Sequence, residues 1–375
     1  MNYPRLYKQI KRFYAYVPSK ITPGLAFPPL HIFLELTYRC NLRCQFCQFL
    51  HILKDYSFEQ LKKGELSLPE IKDVIDQIPS YCLITLTGGE PLLKEDFIEI
   101  VKYATKRHKV HIISNGTLID KQMAKKLLRM GTNSLIKNGL FWISISLHGN
   151  EEVHDKITSV NGSFKRVMNS LHNLQEYKIF SYPKINLQTM ITKKTIPSLS
   201  EVVQIAQRFG IKICNFMVQN TGEHFYRIEK DIKRGYKSVF KMPKPPSIEE
   251  DSLKRGLKKA QEMARSLDVQ IRYQLYPDNY REIIKYYTGK INLKDYVCYA
   301  PWSTFGVSAY GDVGLCFSNM VGNVREKRLK DIWNGKKMQA FRKKLFKNRI
   351  FPGCPGCCFM EYQGPKSSLF RGMVK

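Results

Sequence analysis

The stretch His31-Ile-Phe-Leu-Glu-Leu-Thr-Tyr-Arg-Cys40-Asn-Leu-Arg-Cys44-Gln-Phe-Cys47 decides how the rest of the chain is read. Its opening run, His31 to Thr37, is apolar enough to predict a buried strand beginning just after Pro28 and Pro29. Three cysteines follow it at once, in C-x3-C-x2-C spacing. Thiolates this close wrap a compact loop around one soft metal centre. The odd count carries information. A structural zinc site wants four protein ligands, whereas a 4Fe–4S cluster held by three cysteines leaves one iron open to an outside ligand. A zinc site completed by His51 or a distant residue is the alternative.

Outward from this loop, periods of two kinds alternate. Ser67 to Ile78 reads as a helix, opened by Ser67-Leu-Pro-Glu70, which has the form of a capping box with proline in the first turn. Strands are predicted at 81–86, 110–114, 141–147, 184–190 and 213–219, and helices at 94–106, 120–129, 163–177 and 198–209. Strand–helix units of this length predict an α/β fold: a partial (β/α)6 TIM-like barrel of parallel strands with right-handed crossovers. The active site of such a barrel lies at the C-terminal ends of its strands. The expected divisions are a basic, aromatic N-terminal extension (1–29), the barrel (30–225), a helical connector (226–295), a small cysteine-rich domain (296–362) and a tail (363–375).

Bulk composition constrains the partners. The 375 residues carry 43% hydrophobic and 25% charged side chains, ordinary globular values that allow a packed core. Lys+Arg 61 against Asp+Glu 32 leaves a net charge of +29. That excess points to an anionic substrate or an anionic membrane surface, or else to lysines spread over solvated faces. The first twenty residues are basic and aromatic, so they either pack on their own domain or rest on a membrane surface. They lack the apolar run of a signal peptide, and nowhere do 18 apolar residues run together. A cytoplasmic location is therefore expected, where clustered thiols are metal ligands more than disulfides.

After the next predicted strand comes Thr87-Gly-Gly-Glu-Pro91. Glycines let a backbone approach a ligand closely, and a carboxylate accepts from an ammonium group. Together, the strand, the C-x3-C-x-aromatic-C loop with Phe46 as the aromatic, and this Gly-Gly-Glu-Pro stretch resemble the radical S-adenosylmethionine (SAM) superfamily, over roughly residues 30 to 220. The resemblance implies a 4Fe–4S cluster on Cys40, Cys44 and Cys47. It implies that SAM binds the open iron and is cleaved reductively to a 5′-deoxyadenosyl radical, which abstracts a substrate hydrogen atom. An electron donor such as flavodoxin or ferredoxin is implied with it. The SAM contacts implied are Phe46, Gly88, Gly89, Glu90 and Pro91. Ser114 and Asn115 in Ile113-Ser-Asn-Gly116, Ser146 in Ser144-Ile-Ser-Leu-His-Gly149, and Gln188 with Thr192 nearby extend that set. Members commonly carry Asp where this chain has His148, so no acidic role is assigned there. His154-Asp155 with Asn161-Gly-Ser-Phe164 reads as architecture.

A second set of cysteines closes the chain: Cys298, then Gly311-Asp-Val-Gly-Leu-Cys316, then Cys354-Pro-Gly-Cys357-Cys358. This resembles the SPASM/twitch extension of radical SAM enzymes, with Pro301-Trp302, Gly322-Asn-Val324 and Leu329 to Trp333 in its usual surroundings. Cys298, Cys316, Cys354 and Cys357 suffice for one auxiliary 4Fe–4S cluster, with zinc as the alternative metal. Cys358 is either spare or a substitute for Cys357, and the C-x2-C spacing favours Cys357. Cys82 and Cys214, within or at the start of strands, read as small buried hydrophobes.

The resemblance implies an oxidation or bond-forming modification assisted by the auxiliary cluster. Dehydrogenation of a sugar or aminocyclitol is favoured over modification of a peptide or protein. A metal-cluster nucleic-acid-binding protein is the distant alternative, since it explains the charge but not the three-cysteine loop. No acid or base is chosen; Gln219, Asn220 and Glu223 lie past a strand end.

Overall fold

The strands and helices form close to where the periods put them. The protein is described from a computed structural model, which covers residues 3–220, 245–275, 279–316 and 320–364. Helix α1 (Tyr3–Ile21) precedes β1 (His31–Glu35). The three-cysteine loop then leads into two short helices, α2 (Leu50–Asp55) and α3 (Phe58–Lys63). Helix α4 (Leu68–Asp76) opens on the predicted capping box: the Ser67 side chain accepts from the Glu70 amide, and the Glu70 carboxylate accepts from the Ser67 amide at 2.7 Å.

Five further strand–helix pairings complete the repeat. They are β2 (Leu83–Thr87) with α5 (Phe97–Thr105), and β3 (Lys109–Ser114) with α6 (Lys121–Leu128). Next come β4 (Gly139–Ser146) with α7 (Glu151–Thr158) and α8 (Ser163–Glu176), and β5 (Lys184–Ile191) with α9 (Leu199–Arg208). The last is β6 (Ile213–Val218) with α10 (Glu250–Ser266). These are the six expected strands, paired in parallel in chain order. Cys82 lies one residue ahead of β2 and is fully buried all the same, as is Cys214 inside β6.

Beyond this repeat the sheet is longer than the rhythm predicts. Residues 226–295, expected as a helical connector, also supply β7 (Gln270–Tyr273), which pairs in parallel with β6, and α11 (Arg281–Tyr287). The cysteine-rich segment opens with β8 (Tyr296–Val297). Its β9 (Thr304–Val307) runs parallel to β1, with Ile32 opposite Phe305. An antiparallel pair, β10 (Asp312–Gly314) and β11 (Met320–Asn323), continues outward from there. Among the described residues the result is one ten-stranded sheet, β11-β10-β9-β1-β2-β3-β4-β5-β6-β7. Helices α12 (Leu329–Trp333) and α13 (Lys336–Asn348) follow, and β12 (Glu361–Tyr362) returns to pair with β8.

The two faces of the central strands differ in chemistry. Ile32, Leu34, Ile84, Leu86, Val110 and Ile112 are wholly buried in one apolar core. The opposite face carries a polar chain, one residue per strand. His31 Nε2 lies 2.8 Å from Thr85 Oγ1, which is 3.2 Å from His111 Nδ1; His111 Nε2 is 2.7 Å from Ser144 Oγ. Ser144 Oγ donates to Asn186 Oδ1 at 2.6 Å, and Asn215 Nδ2 donates to the same oxygen at 3.0 Å. One consistent assignment has each histidine donate through Nε2, with Thr85 donating to His111 Nδ1, so both rings are neutral. Burial lowers both pKa values, that of His111 to about 4.

The N-terminal extension is fastened to the C-terminal region. Arg342, fully buried, donates to the carbonyls of Pro301 at 2.8 Å and Gly24 at 3.2 Å, and lies 4.2 Å from the centre of the Trp333 ring. The indoles of Trp302 and Trp333 donate to the Pro23 and Phe27 carbonyls at 3.1 and 2.9 Å.

Candidate active site

Both cysteine sets face one cavity of about 420 Å³ at the C-terminal ends of the strands. Cys40, Cys44 and Cys47 line one side, and Cys298, Cys316, Cys354 and Cys357 another. Local backbone explains how the first loop is held. The amides of Leu42 and Phe49 point at the sulfurs of Cys40 and Cys47, each at 3.4 Å, and Asn115 Nδ2 stands 3.8 Å from Cys40 Sγ. Arg43 N and Gln45 N donate to the Thr158 and Ile157 carbonyls at the end of α7, at 2.9 and 3.0 Å. Beneath the loop, Arg39 clasps Glu65 through Nε at 2.9 Å and Nη2 at 3.0 Å, while Lys94 Nζ meets the same carboxylate at 3.0 Å. Thr37 Oγ1 also donates to Glu65. Glu65 and Arg39 are buried, so this knot is shielded from salt and solvent.

Gly88 and Gly89 press against this loop. Gly89 N donates to the Thr37 carbonyl and Glu90 N to the Arg39 carbonyl, both at 2.8 Å. Gly88 has φ +131°, and a Cβ at either glycine would run into the Thr37 or Arg39 carbonyl oxygen. Only glycine fits both positions.

The expected SAM contacts divide into two groups. Phe46, Gly88, Gly89, Ser114, Asn115, Ser146 and Gln188 line the cavity. Glu90 and Pro91 do not. The Glu90 side chain is fully buried behind the wall, accepting from Asn115 N at 2.7 Å, Ser114 Oγ at 2.9 Å and Leu92 N at 3.2 Å. Burial lifts its pKa to about 7 against the pull of those donors. Its role here is to hold the Ser114–Asn115 turn in place. Asn220 reaches the cavity, Thr192 and Gln219 do not line it, and Glu223 lies outside the described residues.

All seven cysteines are free thiols. Burial pushes Cys40 and Cys354 up to about 12 and also raises Cys44, Cys47, Cys298 and Cys316. Cys298 lies near enough to Cys354, Cys357 and Cys316 for each to disfavour its ionisation. Such thiols ionise only when a cation is bound among them. Among the described residues no three His, Cys, Asp or Glu side chains are placed to hold a single metal ion. Sets of three and of four thiols are donor sets that iron–sulfur clusters take. Cys358 also lines the cavity, beside Cys357.

His148 and His154, given no chemical role from sequence, both line the cavity. His148 packs edge-on against Phe46 at 4.8 Å between ring centres and stacks on His154 at 5.7 Å. Burial lowers their pKa values to about 3 and about 4, so both are neutral at pH 7. The departure at His148 is thus a neutral wall residue. Asp155 accepts from Gly162 N at 2.6 Å, Phe164 N at 2.8 Å and Ser163 Oγ at 2.7 Å, the architectural role expected of it. Among the described residues no Lys, Arg, Asp or Glu lines the cavity, so the +29 charge lies elsewhere.

A mostly parallel α/β sheet with a three-thiol loop at the end of β1 and a four-thiol set facing it defines a radical SAM protein with an auxiliary-cluster domain. Comparison with known proteins agrees. Residues 34–192 match the family model of the radical SAM superfamily, and residues 298–358 that of SPASM, an iron–sulfur cluster-binding domain. The chain belongs to the radical SAM superfamily and carries a SPASM extension. A 4Fe–4S cluster and SAM are therefore its cofactors, with auxiliary iron–sulfur at the C-terminal set.

Among curated relatives, the chain is 33% identical over 202 residues to Fe-coproporphyrin III synthase of Methanosarcina barkeri, covering 53% of this chain and 46% of that protein. It is 26% identical over 333 residues to AdoMet-dependent heme synthase of the same organism, covering 84% of each. The match thus spans about half the length of the first relative and most of the second. Among solved structures, Streptococcus suis SuiB bound to precursor peptide SuiA superposes with a TM-score of 0.60 at 16% identity, covering 91% of this chain and 72% of that one. That likeness is one of fold.

Proposed function

We propose that the protein modifies a tetrapyrrole by a reaction begun with hydrogen-atom abstraction. The observation that carries this reading is the lining of the cavity that the two thiol sets share. It holds Phe46, Met190, Met217, Phe351, Phe359 and Met360 and, among the described residues, no charged side chain. Aromatic and thioether groups suit a large flat conjugated substrate, while uncharged polar side chains such as Gln48, Asn115, Gln188 and Gln274 offer hydrogen-bonding partners for its substituents. The relative aligned over 84% of its length is named a heme synthase, which points the same way. Sugar or aminocyclitol dehydrogenation, the expectation from sequence, is the second reading, since the amide and hydroxyl side chains of the lining could meet a sugar's hydroxyls.

Cys40, Cys44 and Cys47 would hold the SAM-binding cluster, and Cys298, Cys316, Cys354 and Cys357 the auxiliary one. With SAM bound, the first centre supplies a 5′-deoxyadenosyl radical once an external reductant of the flavodoxin or ferredoxin kind delivers an electron. The chain's own residues prepare the place. Gly88 and Gly89 give a backbone surface without side chains, Ser146 and Gln188 offer polar atoms on it, and the neutral pair His148 and His154 backs Phe46. The thioether and aromatic wall keeps water from quenching the chemistry.

The test is anaerobic reconstitution with SAM and a reductant, followed by mass spectrometry of added Fe-coproporphyrin III. A mass change coupled to 5′-deoxyadenosine release is the expected result. Release of 5′-deoxyadenosine with the tetrapyrrole unbound and unchanged would overturn the reading and favour a peptide substrate.

A further inference from the structure

Helix α1 packs inward through Ala15, Tyr16 and Pro18, yet carries a second apolar face that has no partner among the described residues. Along its described outer face, Ile10, Phe13, Val17 and Ile21 recur at spacings of three and four, the apolar stripe by which a helix normally packs inward. Here most of the stripe is turned to the outside. Ile10 is 55% exposed and Ile21 75%, with Phe13 exposed and Val17 half-buried. The inner face holds Ala15 and Ser19, both fully buried, together with Arg12, which pairs with Glu361 at 3.5 Å. Arg12 is thus turned to the protein, while most of the apolar stripe and Lys20 are turned to the outside.

The following loop extends the patch. Leu25 and Phe27 are exposed, yet the backbone beneath them is pinned. Ala26 exchanges hydrogen bonds with the Asn334 side chain at 3.1 and 3.0 Å, and Trp333 Nε1 bonds to the Phe27 carbonyl. Tyr14 reaches across to the Pro28 carbonyl at 2.7 Å, its ring 5.2 Å from that of Phe27. The exposed side chains are thus presented on a fixed surface. Cations rim it: Lys20 lies 5.3 Å from the Phe346 ring, Lys343 abuts Gly24, and Lys347 stands exposed on the same helix α13.

We infer that this surface docks the protein on an anionic lipid bilayer. The apolar side chains would enter the headgroup boundary and the lysines meet lipid phosphates, the division of labour of an interfacial helix. Charge selects this occupant over a second copy. A two-fold pairing of this face would set Lys20, Lys343 and Lys347 against their own images on two chains of +29 each. An anionic bilayer neutralises the same groups. No helix among the described residues is long and apolar enough to cross a membrane, so the contact is with the surface.

The experiment is co-sedimentation of the full chain with phosphatidylcholine vesicles, with and without phosphatidylglycerol, at low and high salt. Binding should require phosphatidylglycerol and weaken as salt rises. The triple substitution Phe13→Ser, Leu25→Ser, Phe27→Ser should weaken it at least about tenfold, the scale expected from removing three buried apolar side chains. Lys343→Glu with Lys347→Glu should erase the preference for anionic lipid. Ile136→Ser, at a site 90% exposed elsewhere, should change nothing. Thermal melts and iron content unaltered in each variant exclude misfolding as the cause. Equal binding to both vesicle types, or none, overturns the inference. So does a concentration-dependent dimer that the triple substitution dissolves, which would assign the face to a second copy.

Discussion

Glu65 is the residue on which the first thiol loop rests. It receives Arg39, Lys94 and Thr37 at once, in a buried position, and Arg39 is the residue next to Cys40 in the chain. Removing one member of a buried ionic group leaves the others unpaired in a poor solvent for charge. Glu65→Ala should therefore cost about 3–5 kcal/mol in chemical denaturation. Iron loading at the first set should fall with it, while Glu95, which still reaches Arg39 at 3.1 Å, limits the loss. A change within about 1 kcal/mol, the range of an exposed ion pair, would show that the knot does not support the loop. The cysteines make a second prediction at this scale. Reconstituted protein should carry about eight irons, and Cys40→Ala, Cys44→Ala, Cys47→Ala together about four, with SAM cleavage abolished. Colourless, zinc-replete protein would refute the assignment. The motif residues were legible because their spacing is local, at strand ends for the first set and in C-x2-C form for Cys354 and Cys357. Glu65 and Lys94 were not, because nothing in their own neighbourhoods announces a partner some thirty residues away.

At the scale of the element, the polar chain across β1 to β6 makes the barrel interior dependent on pH. His111 has its pKa lowered to about 4 in the fold, against about 6.5 in an unfolded chain. A depressed histidine gives stability that is complete above pH 6.5 and drains away as pH falls toward 4. This one group contributes a slope of at most roughly 1.4 kcal/mol per pH unit over that window. His111→Gln, which keeps a donor and an acceptor but cannot titrate there, should flatten the acid limb of the urea stability curve relative to the parent. Identical slopes in the two proteins would mean that His111 is not neutral in the fold. Strand periodicity located these strands to within two or three residues, because each buries an apolar face whatever its partners. It could not show that His31, Thr85, His111, Ser144, Asn186 and Asn215 meet, since adjacency across six strands exists only once the sheet has assembled.

For the whole molecule, the C-terminal cysteine region is built into the barrel sheet. Strand β9 covers the open edge of β1, and Arg342 and the two indoles bind the N-terminal extension to the same region. A chain ending at residue 295 would expose that edge and the apolar faces of Phe305 and Trp333's neighbours, so it should aggregate instead of folding as a free barrel. The full chain should unfold in a single cooperative transition by circular dichroism. Two well-separated transitions, or a soluble folded 1–295 fragment, would contradict this account.

The sequence by itself determined the class: a parallel α/β repeat, a three-thiol loop at its first strand end, a glycine pair beside it and a second thiol set downstream. Those features are local, set by spacing and by periods of two and 3.6 residues, and they survive without knowledge of any partner. Tertiary structure alone decided that the two thiol sets share one cavity, that no charged side chain among the described residues lines it, that Glu90 turns inward, and that the described strands form one sheet of ten. Each of these depends on which buried groups meet after distant segments have packed. Desolvation and pairing act between such groups, and no window of sequence contains both.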